Sequence, residues 1–482
     1  MDSQEWVPYL FYSLDLVIRI GLSLRILSRN MSVGVTFAWM IIVLALPYLG
    51  AFLYLLIGEN RLGERRLSRA LTVIGQSQHW RETLCKRTAS FNPAIPLNYA
   101  TLDLQARNVI GYPTLPGNRL ELLTDYNSTF HSLIEDIRNA RSSCLLEFYI
   151  LEQGGLVDDL LQAVSGAHER GIKINILLDS LGSKVFLKSE RCKAMRASGI
   201  DISEALHVNA ARMLFQRVDI RNHRKIAVID NSIAYSGSQN LVDPRFFKQG
   251  AGVGEWIDIM VRIKGPCVSV LHNVATMDWS VESGKVASFS AKTISMDAAG
   301  DIPVQVIPSG PVFREGAIHQ LLMGVIFTAR QELVITTPYY APDDALTEAL
   351  VAAANRGVDV TLVIPARVDS RLVRYATPAL LDRLVSAGIK VAQFDGGLLH
   401  TKSITVDGSF CIAGSVNLDM RSLWLNFEIS LFVYHAGFCK QLRDLQQQYI
   451  NQSTCVDPAE FRKRPRTQRL AASIMRLFAP VL

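Results

Sequence analysis

The stretch His223–Asn240 reads HRKIAVIDNSIAYSGSQN, and the stretch His400–Asn417 reads HTKSITVDGSFCIAGSVN. Both spell H-x-K, four residues, D, six residues, G-S-x-N, a coincidence expected at roughly one start position in 10^8 from average composition. A duplication of this kind constrains the fold strongly, because each copy must form the same unit. The likeness extends beyond the motifs. CLLEFYILEQGGLVDDLLQAVSGAHERGIKINILLDSLGS from Cys144 parallels ELVITTPYYAPDDALTEALVAAANRGVDVTLVIPARVDS from Glu332. Each begins with an apolar strand, continues in a helical run ending at Arg170-Gly171 or Arg356-Gly357, and enters a β-branched strand. A second helix and a short strand follow at SGIDI or AGIKVAQF. Alternating strands and helices predict an α/β layer architecture in each half. The divide between halves is expected near residues 285–302, in the polar, glycine-containing ASFSAKTISMDAAGD.

The N-terminus is of a different kind. Met31–Gly58 carries no charge over its length, more than the about 20 residues a helix needs to cross a bilayer core. Trp39, Tyr48 and Tyr54 are candidate interface anchors, and Pro47 is placed to kink the span. Residues 7–27 form a second candidate span, with Asp15 and Arg19 at i,i+4 spacing to soften the cost of charge in lipid, or alternatively an interfacial helix lying along the membrane. The acidic start MDSQEW argues against a cleaved signal peptide, so the anchor is expected to stay attached. Arg61, Arg65, Arg66 and Arg69 after the second stretch favour the cytoplasmic side, whereas Arg25 and Arg29 pull the other way. A hairpin with both ends inside is the expected topology.

The full expected organisation is a hairpin over 1–58 with spans at about 7–27 and 32–57, a connector over 59–118, a first half over 119–290 and a second half over 291–482. The formal charge of +6 suits an anionic surface or substrate but falls short of a dedicated nucleic-acid binder. The seven cysteines are scattered without a C-x-x-C pair, which points to reduced packing residues rather than a disulfide framework or zinc knuckle. The basic tail containing Arg462, Lys463, Arg464, Arg466 and Arg469 suits an anionic bilayer surface or a solvated terminus equally.

His and Lys two apart on an extended strand would point to one face, so two such strands can bring two His–Lys pairs together across a pseudo-twofold axis. That set fits phosphodiester chemistry. The substrate's negative charge repels nucleophiles, and an enzyme without a metal must offset it with cations and donors. Lys225 and Lys402 supply charge; Asn240, Asn417, Ser238 and Ser415 are the expected donors. One imidazole can attack phosphorus while the other protonates the departing alkoxide and then deprotonates the acceptor, with His223 the expected nucleophile and His400 its counterpart. Each needs a carboxylate on its other ring nitrogen, for which Asp258 and Glu428 occupy matching strand positions, with Glu255 a competitor for the first role. Asp230 and Asp407 read as structural hydrogen-bond or ion-pair partners within their motifs. His79, His131, His168, His207, His272, His319 and His435 lack the repeated context and read as structural. A divalent metal site is disfavoured by the ammonium at i+2 and the lack of further ligands at fixed spacing, so no metal or cofactor is expected.

At these motifs the chain resembles the phospholipase D superfamily and, more narrowly, the two-span bacterial cardiolipin synthases. ALPYLGAFLYLLIGENRLGERR and FDGGLLHTKSITVDGSFCIAGSVNLDMRSLWLNFEISL carry that likeness alongside the first motif. The resemblance implies two phospholipase D-like α/β halves behind a transmembrane hairpin. It also implies transfer of a phosphatidyl group from one phosphatidylglycerol to another, giving cardiolipin and glycerol at the cytoplasmic face of a bacterial inner membrane, with anionic bilayer lipids as partners and no nucleic acid. The motifs alone leave open phospholipase D or another phosphatidyltransferase, a membrane-bound nuclease and a non-catalytic scaffold.

Overall fold

A computed structural model describes residues 6–29, 31, 33–59, 61–91, 93–207, 217–285, 289–463 and 465. The basic tail beyond residue 463 lies outside these, apart from Pro465. Two compact units are present, one built from residues up to 68 with 217–220, the other from 69–207 and 221 onward.

In the larger unit the two halves share one sheet of 15 strands. The first half contributes, from its edge inward, Asp201–Ala205, Lys173–Asp179, Ser143–Phe148, Ile226–Ile229, Ile233–Gly237, Met260–Lys264 and Leu115–Leu123. The second repeats the order with Lys390–Phe394, Asp359–Pro365, Glu332–Thr336, Ser403–Val406, Phe410–Gly414, Glu428–Val433 and Ile302–Ser309, and adds Ser453–Cys455 at its edge. Apart from Ser453–Cys455, which is antiparallel to its neighbour, the outer three strands of each half are parallel and the four nearest the seam antiparallel. The seam itself is Leu115–Leu123 against Ile302–Ser309, with a shift in register between Leu115 and Asn118.

The central strands are buried on both faces, which is why Ile226–Ile229 and Phe410–Gly414 read as unbroken apolar runs. Helices Leu156–Glu169 and Asp344–Asn355 connect parallel strands in corresponding places. The region expected to be a connector holds two helices, Glu64–Thr88 and Ala100–Ile110. The cysteines are free, five buried and two exposed.

The smaller unit departs from the expected hairpin. Trp6–Leu27 is one helix, and Arg19 bonds Asp15 at 2.7 Å as their spacing anticipated. The second apolar stretch is not one span. It forms Val33–Ala45, breaks at Leu46 (φ −131°, ψ 71°), resumes as Pro47–Leu53 and ends in a wider turn over Tyr54–Gly58. Pro47 cannot donate to the helix and clashes with the preceding turn, so the break falls where the ring does. The chain then folds back. Trp39 and Tyr54 would be about 22 Å apart along a straight helix, yet their rings meet at 5.4 Å. Gly50 allows this, since a Cβ there would lie 2.6 Å from the carbonyl oxygen of Ile42. Glu59 returns to the start of the stretch, where it takes hydrogen bonds from Arg25 at 2.7 and 3.0 Å, Arg29 at 3.1 Å and Tyr54 at 2.7 Å. Among the described residues no helix is long and apolar enough to cross a membrane.

Candidate active site

The two motif strands are neighbours of corresponding strands, but His223, Lys225, His400 and Lys402 stand just before them rather than on them. Geometry on a strand therefore does not align each His with its Lys. A turn-like closure does: Lys225 Nζ donates to the His223 carbonyl at 2.6 Å, and Lys402 Nζ to the His400 carbonyl at 2.5 Å. The one-residue spacer is what makes this ring possible. An ammonium has three N–H groups, so each lysine retains donors for an anion.

The approach segments pair across the halves. His223 N–H donates to Phe427 O at 2.8 Å, and His400 N–H donates to Ile257 O at 2.8 Å. Each accepting residue directly precedes an acid of the opposite half, so the backbone register carries the acid to the imidazole. Asp258 Oδ1 meets His400 Nδ1 at 2.7 Å, and Glu428 Oε1 lies 3.2 Å from His223 Nδ1. The acids thus serve the histidine of the other half. Glu255 contributes only its carbonyl, to Leu398 N at 2.9 Å, among the contacts of this crossing.

The remaining motif residues divide by task. Ser238 and Ser415 do not present their hydroxyls as ligand donors. Ser415 Oγ donates to Glu428 Oε2 at 2.5 Å and accepts from Ile429 N, while Ser238 Oγ accepts from Ile259 N at 3.0 Å, on the strand segment that follows Asp258. Asn240 Oδ1 accepts from Ile150 N at 3.1 Å, which fixes its amide plane. Asn417 donates to Asp419 at 3.1 Å, and its Oδ1 is buried without a partner. Asp230 and Asp407 lie at the far ends of their strands, about 16 Å along the chain from the lysines. There they adopt left-handed φ of 53° and 48° and accept backbone N–H bonds from Arg141, Ser142 and Ser143, or from Arg330, Gln331 and Glu332.

Burial governs the charges. It pushes Lys225 down to about 8 and Lys402 down to about 7, against the pull of Glu428 and Asp258. It also pushes His400 down to about 4 despite Asp258, and His223 downward despite Glu428. Burial alone would raise both acids, but the histidines and lysines beside them hold Asp258 and Glu428 below their ordinary values. The result is two neutral imidazoles beside two carboxylates and two weakly held ammoniums.

Several contributors escaped the sequence reading. Arg224, the spacer of the first motif, is fully buried: Nε donates to Glu428 O and Nη2 to Ser309 O, each at 3.0 Å, and Nη1 pairs with Asp278. The departure of Arg224 from Thr401 within otherwise matching motifs was its only signal. Asp179 accepts from Asn222 N at 3.0 Å and Glu147 from Asn222 Nδ2 at 2.6 Å, fixing the segment ahead of His223. The Tyr149 ring packs against His223 with centroids 4.2 Å apart and Trp256 against His400 at 4.3 Å, both tilted. Asn426 Nδ2 reaches His223 Nδ1 at 3.3 Å. Among the described residues no cluster of three metal-ligating side chains occurs.

A doubled α/β sheet that joins two His–Lys sets at one crossing defines a phospholipase D-like enzyme. The solved phosphatidylserine synthase of Haemophilus influenzae Rd KW20 shares this fold, with a TM-score of 0.60 over 79% of this chain and 99% of that one, at 13% identity. The family model described as cardiolipin synthase, PLD-like domain matches residues 133–253 and 322–450, and the one described as Phospholipase D-nuclease N-terminal matches 17–59. Cardiolipin synthase A of Edwardsiella ictaluri (strain 93-146) and that of Yersinia pseudotuberculosis serotype IB (strain PB1/+) are each 42% identical over 468 residues, covering 96% of both chains. The chain belongs to the cardiolipin synthase family of the phospholipase D superfamily.

Proposed function

We propose that the protein transfers a phosphatidyl group from one phosphatidylglycerol to a second, forming cardiolipin and releasing glycerol. The observation that carries this reading is the crossed pair of His–acid dyads, each beside its own buried lysine. His400 takes up a proton at Nε2 when the anionic donor binds beside it; His223 Nε2 then attacks the donor's phosphorus, the P–O bond to glycerol breaks, and His400 gives that proton to the departing oxygen. The acceptor's hydroxyl then gives its proton to His400 and its oxygen to phosphorus, and the P–N bond to His223 breaks. Lys225, Lys402 and Asn240 bind the non-bridging oxygens; Asp258 and Glu428 accept from Nδ1–H of the histidines, so that Nε2 of His223 is free to attack and Nε2 of His400 takes and gives the proton. Asp230 and Asp407 pin the turns that end the motif strands.

The N-terminal unit is the membrane-embedded part, at the inner membrane of a bacterium with the catalytic region cytoplasmic. Its exposed apolar side chains, among them Phe11, Leu16, Ile20, Phe37 and Ile41, support contact with lipid, and the cluster of Arg25, Arg29 and Glu59 marks one interface. The reading is tested with purified protein and phosphatidylglycerol as the only phospholipid. Cardiolipin and free glycerol should form in equal amounts, and excess glycerol should reverse the reaction. Phosphatidic acid as the main product would make the protein a phospholipase, and cleavage of single-stranded DNA with lipid untouched would make it a nuclease.

A further inference from the structure

A transferase of this kind must recognise its acceptor, and none of the motif residues is suited to read a glycerol headgroup. Three side chains beside His400 are. Strands Glu332–Thr336 and Asp359–Pro365 are parallel neighbours, so the loops at their carboxyl ends lie side by side and carry Tyr339 and Asp369. The Tyr339 hydroxyl donates to Asp369 Oδ1 at 2.6 Å. From the first half, Lys248 Nζ donates to Asp369 Oδ2 at 3.1 Å. The same ammonium lies 5.2 Å from the centroid of Trp256, the ring that packs against His400. The cluster therefore borders the indole that packs on the imidazole proposed to handle the acceptor's proton. Lys248 is also one of few non-glycine residues in the left-handed region, at φ 49°, a conformation that costs energy and collects at functional sites.

We propose that Asp369, Tyr339 and Lys248 form the acceptor subsite, which binds the vicinal diol of a glycerol headgroup and the phosphodiester attached to it. A carboxylate offers about four lone-pair positions, and two on Asp369 are taken, leaving room for a diol O–H. Tyr339 orients the carboxylate and its oxygen can accept the neighbouring hydroxyl. Lys248 is half-exposed, so N–H groups beyond the one on Asp369 can meet the acceptor's phosphate. This deepens the phosphatidyltransferase reading and rests on it. The leaving glycerol of the first step carries the same diol but no phosphate, so Asp369 and Tyr339 serve both steps, whereas Lys248 matters only for a lipid acceptor.

The test measures how one phosphatidyl-enzyme divides among competing acceptors, a ratio in which a general loss of rate cancels. The donor is phosphatidyl-p-nitrophenol in mixed micelles; glycerol, 1-propanol and phosphatidylglycerol compete with water. Wild-type protein should favour glycerol over 1-propanol, and Asp369→Asn and Tyr339→Phe should lower that preference by about tenfold or more through loss of a hydrogen bond to the second hydroxyl. Lys248→Gln should keep the glycerol preference yet lower cardiolipin relative to phosphatidylglycerol formed from free glycerol. Unchanged ratios in all three variants, with rate loss alone, would overturn the subsite and leave the cluster as a fastening between loops. Wild-type protein that makes no cardiolipin would instead overturn the transferase reading, while its glycerol-to-propanol ratio would still judge the diol site.

Discussion

Replacing Asp258 with Asn removes one negative charge from the shorter of the two His–acid contacts and little else, since the amide keeps the carboxylate's shape. The affected bond is His400 Nδ1 to Asp258 Oδ1 at 2.7 Å, with both side chains more than nine-tenths buried. When His400 takes the acceptor's proton it becomes an imidazolium beside that carboxylate. At an effective dielectric of about 20 the bare attraction at this separation is about 6 kcal/mol, an upper figure because the amide dipole replaces part of it. Hydrogen bonds to charged groups contribute about 1.5–3 kcal/mol. A loss of about 2–4 kcal/mol corresponds to a turnover lower by roughly 30- to 1000-fold. Burial has already pushed His400 to about 4 with Asp258 pulling upward, so the substitution lowers its proton affinity further.

A donor with a p-nitrophenolate leaving group separates the two steps, because that group departs without a proton. The Asp258→Asn variant should therefore show a rapid burst of nitrophenolate followed by slow turnover, with phosphorus trapped on His223. Glu428→Gln should weaken the burst itself. The opposite pattern, a burst in Glu428→Gln and phosphorus recovered on His400, would refute the assignment of roles.

Two further outcomes follow from buried charge. Binding of tungstate as a phosphoryl mimic should draw the lysines back to their charged forms; with Lys402 at about 7 and Lys225 at about 8, uptake at pH 7.5 is about one proton, read by calorimetry in buffers of different ionisation enthalpy. Without ligand both lysines are depressed, so their burial penalty is full below pH 7 and is relieved as pH rises through 7 and 8 towards 10.5; no buffer dependence would contradict charged lysines in the complex. Arg224→Met should lower stability by about 3 kcal/mol or more, since it strands Asp278 and leaves the Glu428 and Ser309 carbonyls without donors. An unchanged urea midpoint would show that these groups find other partners.

The two α/β halves were legible because duplication and apolar, β-branched runs alternating with helical segments are local signals repeated in the chain. The pairing of acids with histidines was not. Asp258 and Glu428 could be picked as strand residues near the motifs, yet which histidine each serves depends on backbone pairs such as His223 N to Phe427 O, between segments about 200 residues apart in sequence. The serines misled for a related reason: Ser238 and Ser415 keep fixed spacing from the histidines, but strand register turns them to the acids. The N-terminal stretch shows the limit of counting apolar residues. Met31–Gly58 satisfies a length rule for a span, while Pro47 and Gly50 fold it back on itself. Acceptor recognition was invisible because Lys248, Asp369 and Tyr339 have no counterpart spacing in the two motifs.

Duplication explains why there are two sets, and divergence explains how they come to differ in task. His400 is buried, held by one acid at 2.7 Å and capped by Trp256. His223 is partly open, its acid stands at 3.2 Å, and Asn426 reaches the same nitrogen at 3.3 Å. Trp256 and Asn426 occupy equivalent places, two residues before the acid of their own half, so the repeat sets an indole against His400 where it sets an amide against His223, whose aromatic neighbour, Tyr149, comes from another segment. An acid–base group must return to the same position in both steps, which favours a single short bond and a rigid cap. A nucleophile must approach phosphorus, bond to it and withdraw, and Nδ1 must stay solvated by donors or acceptors as its charge changes. A carboxylate and an amide sharing that nitrogen can stabilise it in turn: the acid while Nδ1 carries a proton, the amide when it does not. The asymmetry of the two environments supports the proposed division of roles, with His223 as the nucleophile and His400 as the proton carrier.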